Sequence, residues 1–204
     1  MKKILIATTN KAKFEEIHFF LKDLPFEFLS LSDLKIKIEP EENHPTFAEN
    51  AKHKARFYCK ISKLPTISDD GGLEIDALNG APGVKSKRWI NGKESSDREL
   101  IDYTLFKLRD IKGKNRSAGL TTVIALSMPR GKIYSYSGSI KGIIAEEPYE
   151  ILTPGFPYRS LLYLPKIGKF YHSREMKKPE MEKYNHRGKA LAKMKKILYK
   201  LVKK

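Results

Sequence analysis

The sequence predicts an α/β protein with a mixed β-sheet. Two observations carry this: short β-branched runs alternate with amphipathic helical segments from Lys2 to Asp70, and two strand-like runs stand next to each other in the second half. A third sets the scale, since 204 residues suffice for one substantial core or two lobes sharing one. The chain is read as one compact domain over 1–204.

The elements follow in order. "KKILIATTN" reads as a buried strand entering a polar turn, and "KFEEIHFFLKDLP" places Phe14, Ile17, Phe20 and Leu21 on one helical face before Pro25. "FEFLSLSDL" is a second short strand. "PTFAENAKHKARFYCKIS" is a helix opened by Thr46 and Glu49 at capping-box spacing, and "LPTIS" is a strand that ends in Asp69 and Asp70. The Gly and Pro density of "LNGAPGVKSKRWING" predicts an irregular loop. "SSDRELIDYTLFKLRDI" is a helix with a second capping box, Ser96 with Glu99, and "AGLTTVIALSM" and "KIYSYSGSIKGII" are strands joined by the turn "PRGK". A last helix from about His186 gathers Leu191, Met194, Ile197, Leu198 and Leu201 on one face and lysines elsewhere, a lysine face read as solvated surface.

Composition narrows the function classes. "MKKILIATTNKAKF" has an apolar core of only about five residues, shorter than a signal peptide requires, so the reading is a soluble, cytoplasmic protein with no membrane partner. The single cysteine, Cys59, excludes an intrachain disulfide and a thiolate metal cluster. A net charge of +16 fits nucleic acid, an acidic membrane surface or a small polyanion such as a nucleotide. The basic residues are spread along the chain, densest from Arg187 to Lys204, and charge alone does not choose.

Four polar groups stand at element ends. "TTNKAK" places Thr8, Asn10 and Lys13 at a helix start, where free N–H groups and the dipole attract anions; an ordinary N-capping turn has the same composition. "EPEENHPTFAEN" offers Glu41 and Glu42, alternatively a solvated acidic turn. In "SDDGG" two adjacent carboxylates repel, so a shared cation is expected; Gly71 and Gly72 would give a tight bend or let another group approach the backbone. In "NHRGKAL", His186 and Arg187 oppose the dipole of the helix they open, which an anionic or carbonyl-bearing ligand would explain.

Together "IATTNKAKFEEI", "TFAENAKHKA", "SDDGGLEIDALNGAPGVKSKR" and "NHRGKAL" resemble, in order, the signature segments of the inosine triphosphate pyrophosphatase family. The resemblance implies an elongated mixed sheet in two lobes around a nucleotide cleft, Mg2+ as cofactor, a homodimer, and hydrolysis of ITP, dITP or XTP to the monophosphate and pyrophosphate. It implies that Thr8, Asn10, Lys13 and Lys87 grip the triphosphate and that Glu42 (or Glu41) and Asp70 hold the metal. Asp69 or Asp70 would orient the attacking water, Phe156 would stack on the purine, and His186 and Arg187 would read the base.

Departures fall on the base side. The family's Gly-Phe-Gly-Tyr-Asp-Pro segment corresponds to "GFPYRS", with Pro157 for a glycine and Arg159 for an acid; a family lysine falls at Met181, with Lys183 nearby, and a serine at Asn185. Two other readings remain at this point: a basic nucleic-acid-binding or catalytically altered member, and a pyrophosphatase for a different modified nucleotide. Retained metal-type acids argue against the first, because they repel a phosphate backbone.

Overall fold

A computed structural model describes residues 1–202. The fold is α/β, a seven-stranded mixed sheet in the order β2-β1-β3-β4-β5-β6-β7 with five α-helices. The strands are β1 Lys2–Ala7, β2 Phe26–Ser30, β3 Thr66–Ile75, β4 Ser117–Ser127, β5 Ile133–Ile144, β6 Leu162–Leu164 and β7 Lys169–Phe170. The helices are α1 Lys11–Leu21, α2 Phe47–Ser62, α3 Asp97–Lys107, α4 Lys178–Tyr184 and α5 His186–Val202. β1 pairs in parallel with both β2 and β3, which requires the crossovers that α1 and α2 supply. β5, β6 and β7 pair antiparallel. None of these helices is long and apolar enough to cross a membrane.

The chain divides into two compact units, one of residues 1–70, 122–138 and 186–202, the other of Gly71–Thr121 and Ser139–Asn185. Lys203 and Lys204, the end of the expected domain and of the basic segment, lie outside the described residues.

In the first unit the sheet is buried on both faces. Ile4, Ile6 and Ile67 pack against Ile17 and Leu21 of α1 and Leu191, Met194 and Leu198 of α5, while Leu5 and Ala7 pack on Tyr58 of α2. Successive strand residues point to opposite faces, so α1 and α5 cover one side and α2 the other. In the second unit Leu73 and Ile75 join Leu100, Ile101, Leu161, Leu162 and Tyr171 in a separate core.

The predicted helices and their caps form. Asn10 caps α1 by accepting from Lys13 N–H at 3.1 Å, and Ser96 and Glu99 close a full capping box on α3. Thr46 caps α2 through Glu49 N–H, but the Glu49 carboxylate accepts from the Thr46 hydroxyl at 2.7 Å instead of reaching the cap's backbone.

β3 differs from expectation. Asp69 and Asp70 do not end it: the strand runs on through Gly71 and Gly72 to Ile75. Neither glycine makes a bend. A Cβ on Gly72 would collide with the Ser86 hydroxyl and stand 2.6 Å from the Gly83 carbonyl, so glycine is there for close approach. The Ser86 hydroxyl donates to Gly83 O at 2.6 Å and accepts from Leu73 N–H at 3.0 Å, which binds the predicted irregular loop to the strand.

Arg116 is a structural cation with no signal in the sequence. It is 3 % exposed, and its guanidinium donates to the carbonyls of Leu108, Ile111, Ile144 and Ala145 at 2.7–3.0 Å. One side chain thus satisfies the chain end of α3 and the exit of β5.

Candidate active site

Parallel strands present their C-terminal ends as a site, and β1 and β3 do so here. Their register pairs Ala7 with Ser68. β1 stops there and leads into Thr8 and the α1 cap, while β3 runs on past it, with Asp69 and Asp70 as the next two residues. The acids therefore emerge beside the start of α1.

Strand alternation then separates the two carboxylates. Asp69 shares the face of Ile67, towards α1 and α5; Asp70 shares the face of Ser68, whose hydroxyl donates to Ala51 O of α2 at 2.6 Å. The expectation of one cation shared by the pair gives way to two separate cation sets, because the acids lie mid-strand instead of in a turn.

Asp69 is 1 % exposed, and its Oδ2 accepts from Arg187 Nε and Nη2 at 3.3 and 3.0 Å and faces Lys13 Nζ at 3.1 Å. Burial alone would raise its pKa, but the charges of Lys13, Arg187 and Lys54 outweigh burial and hold the carboxyl well below the usual carboxylate range. At neutral pH it is held as an anion. Arg187 also donates to Glu16 of α1. This resolves the dipole conflict at the α5 start: the guanidinium there is held by carboxylates of α1 and β3.

Arg187 can sit so because α5 enters close to β5. A Cβ on Gly138 would meet the His186 carbonyl and stand 2.9 Å from Ala190 N, so only glycine lets the helix start seat there. His186 is 5 % exposed beside it.

Asp70 has the opposite character. Lys54 Nζ lies 3.7 Å from its Oδ1 and 3.1 Å from Glu42 Oε1, while Oδ2 is buried with no hydrogen-bond partner. Burial, reinforced by the negative charges of Glu42 and Asp69, outweighs Lys54 and Lys13 and pushes Asp70 up to about 6. In Lys54 the attraction of Asp70, Glu42 and Asp69 outweighs burial and keeps the ammonium charged. The Asp70 carbonyl is fixed by the Thr122 hydroxyl at 3.1 Å.

Glu42, not Glu41, is the loop acid at Lys54; exposed Glu41 accepts from Asn43 at 2.7 Å. The loop is fastened by Asn50 of α2, 1 % exposed, which donates to His44 O at 3.2 Å and accepts from His44 N–H at 3.1 Å. Motifs at element ends do not single out Lys54, Glu16 or Asn50 as site residues. Helical spacing held their signal: Lys54 lies one turn after Asn50, and Glu16 lies three residues after Lys13 on α1.

Thr8 accepts from Asn10 N–H at 3.2 Å, so Thr8, Asn10 and Lys13 form one turn whose lysine reaches Asp69. Lys87 and Phe156 belong to the second unit. Lys87 pairs with Asp97 at 3.6 Å, and the Arg159 guanidinium lies 3.9 Å from the centre of the Phe156 ring. Arg159 also lies over Tyr171 at 5.0 Å and is 5 % exposed. Met181 packs on the second core, Asn185 is buried at the end of α4, and exposed Lys183 lies over Tyr184.

No three His, Cys, Asp or Glu side chains gather as a metal cage among the described residues. The donor set is the pair Glu42 and Asp70, with one buried carboxylate oxygen lacking a partner. Two carboxylates fit a magnesium ion, which keeps several waters and takes its remaining ligands from substrate phosphates.

Known proteins resemble this chain over nearly its whole length. The family model for the Ham1 family matches residues 4–197. The dITP/XTP pyrophosphatase of Thermus thermophilus is 40 % identical over 189 residues, 93 % of this chain and 88 % of that protein. The dITP/XTP pyrophosphatase of Geobacter sulfurreducens is 38 % identical over 195 residues, 96 % of each. Among solved structures, a HAM1 protein from Coxiella burnetii superposes with a TM-score of 0.83 at 34 % identity, covering 98 % of this chain and all of that one. The Staphylococcus aureus Ham1 protein gives 0.81 at 31 %, covering 97 % and 98 %.

Proposed function

The chain belongs to the Ham1 family, and on that premise we propose that it hydrolyses deaminated purine nucleoside triphosphates, dITP and XTP among them, to the monophosphate and pyrophosphate. Residues 1–204 act in this reading as one catalytic domain. The observation that carries the proposal is the division of labour between two adjacent aspartates: one locked as an anion between Lys13 and Arg187, the other raised to about 6 with an open oxygen. Pairs of acids pushed apart in this way mark a fixed charge and a proton acceptor.

Each residue's task follows. Lys13 and the N–H groups at the start of α1, ordered by Thr8 and Asn10, receive the phosphates, and Asp69 aims the Lys13 ammonium. Without metal, Asp70 holds a proton more tightly than an ordinary carboxylate and is still ionised at neutral pH, so in this reading its carboxylate accepts a proton from the attacking water. The water oxygen bonds the α-phosphorus, the bond from that phosphorus to the bridging oxygen breaks, and pyrophosphate leaves. Lys54 supplies positive charge beside the carboxylates as negative charge develops on the phosphates. Glu42 and Asp70 would hold magnesium, which when bound neutralises phosphate charge and polarises the reacting centre. His186, Arg187 and Phe156 are assigned to the base and Lys87 to the phosphates. We further take the enzyme to be a cytoplasmic homodimer.

Pyrophosphate release from dITP, XTP, GTP and ATP, each with Mg2+ and with EDTA, tests the reading. Metal-dependent turnover favouring dITP and XTP supports it. Equal turnover of all four removes the substrate assignment, and undiminished turnover in EDTA removes the metal.

A further inference from the structure

A cavity of about 260 Å³ opens between the last turns of α2 and the turn after β4, lined by Arg56, Cys59, Lys60, Lys63, Ser127 and the turn residues that follow. Arg56 and Lys60 stand one turn apart on α2, and Lys63 is its left-handed C-cap, so three cations line the cavity at the end of the helix. None of them is in an ion pair among the described residues, and no carboxylate lines the cavity. Stacked like charges on a helix are unfavourable without a counter-ion. Lys60 and Lys63 also meet the negative end of the α2 dipole, but Arg56 lies nearly two turns before the helix end.

The inner wall is polar and held in place. Ser127 is 3 % exposed, and its hydroxyl makes no hydrogen bond among the described residues. The turn beyond it is closed by Met128 N–H to Lys132 O and Gly131 N–H to Met128 O, both 2.8 Å. Arg56 and Lys54 are two residues apart on α2, which sets their side chains about 200° apart around the helix. This cavity therefore lies on the far side of α2 from the Glu42–Asp70 cluster.

We propose that this cavity is a second anion site, separate from the catalytic cluster, which binds a diphosphate group. The volume is below the ~300–1,000 Å³ of pockets that enclose drug-sized ligands, and it suits a compact polyanion. Three cations match the charge of inorganic pyrophosphate or of the diphosphate end of a nucleotide, and the Ser127 hydroxyl offers one neutral donor.

Cys59, the chain's only cysteine, lines this cavity and is 4 % exposed, so the rate of its modification reports how often this wall opens. The test measures pyrophosphate bound per chain by equilibrium dialysis in EDTA, together with the rate at which a small methanethiosulfonate modifies Cys59. At ten times its dissociation constant, pyrophosphate should slow modification about tenfold by mass action, at constant ionic strength. The double variant Arg56→Ser/Lys60→Ser should bind one pyrophosphate fewer and lose the protection, whereas Lys13→Met should keep it. Lys63→Ser alone should weaken the protection, which guards against a fold defect in the double variant. Protection by ADP as well as pyrophosphate assigns the diphosphate end of a nucleotide; protection by pyrophosphate alone assigns the free ion. Equal stoichiometry in parent and double variant, or protection lost in Lys13→Met and retained in the double variant, overturns the proposal.

Discussion

Asp70→Asn should make the metal-free protein more stable at pH 8 while abolishing most of its turnover. The side chain keeps its shape and loses a charge that the fold disfavours. The native state raises this carboxyl from 3.8 to about 6, so the folded chain holds its proton more tightly than the unfolded chain does. For a carboxyl shifted upward, stability is full below about pH 4, falls as pH rises towards 6, and is level above it. Two pH units at about 1.4 kcal/mol each give a cost of ionising Asp70 of about 3 kcal/mol at pH 8, which asparagine does not carry. Lys54 loses one anion in the variant but keeps Glu42 at 3.1 Å, so the net gain should be about 1–3 kcal/mol. Urea unfolding of parent and variant in EDTA, from pH 4 to pH 8, measures the difference, and Asp69 cancels because both proteins contain it. Loss of a general base should lower kcat by about 10²–10⁴. A variant less stable than the parent at pH 8, or a stability difference that does not change with pH, refutes the reasoning.

Three further outcomes are expected. Arg187→Met leaves Asp69 with Lys13 as its one salt-bridge partner and strips Glu16 of its guanidinium, so it should destabilise by about 3 kcal/mol or more, read as a lowered urea midpoint. Asn50→Ala frees the loop that carries Glu42; the Mg2+ concentration for half-maximal turnover should rise about tenfold while the melting temperature drops only slightly. Arg116→Met abandons four buried carbonyl contacts in the second unit and should cost about 3 kcal/mol, with KM for dITP unchanged in the protein that remains folded.

Much of the architecture is legible in the sequence because period and caps agree. Phe14, Ile17, Phe20 and Leu21 give the buried face of α1, and Leu191, Met194 and Leu198 that of α5. β6 and β7, three and two residues long, and α4 leave too short a pattern to find. The end of β3 is misread for a specific reason: Gly-Gly after two acids carries the composition of a turn, and only the Ser86 hydroxyl, packed where a Cβ would be, shows that it is strand. Within the site, Lys13, Asp69, Asp70 and Arg187 can be picked out from motifs at element ends, and Glu42 only as one of the pair Glu41 and Glu42. Their pairings cannot, because whether two neighbouring aspartates share a cation depends on whether they lie in a turn or on opposite faces of a strand. Arg116 is beyond sequence reasoning, since its partners are main-chain carbonyls that any residue supplies.

The clamp on Asp69 also orders the chain's history. Its lysine leaves the ribosome early, its own strand next, and Arg187 only near the end of synthesis, 118 residues after the aspartate it neutralises. A nascent or truncated chain that lacks α5 contains both aspartates and the turn at the start of α1, yet Asp69 there has one salt-bridge partner where the finished protein provides two. Hydrolytic competence should therefore appear only when the last helix docks, and an unfinished copy of the enzyme should leave the cell's nucleotides untouched.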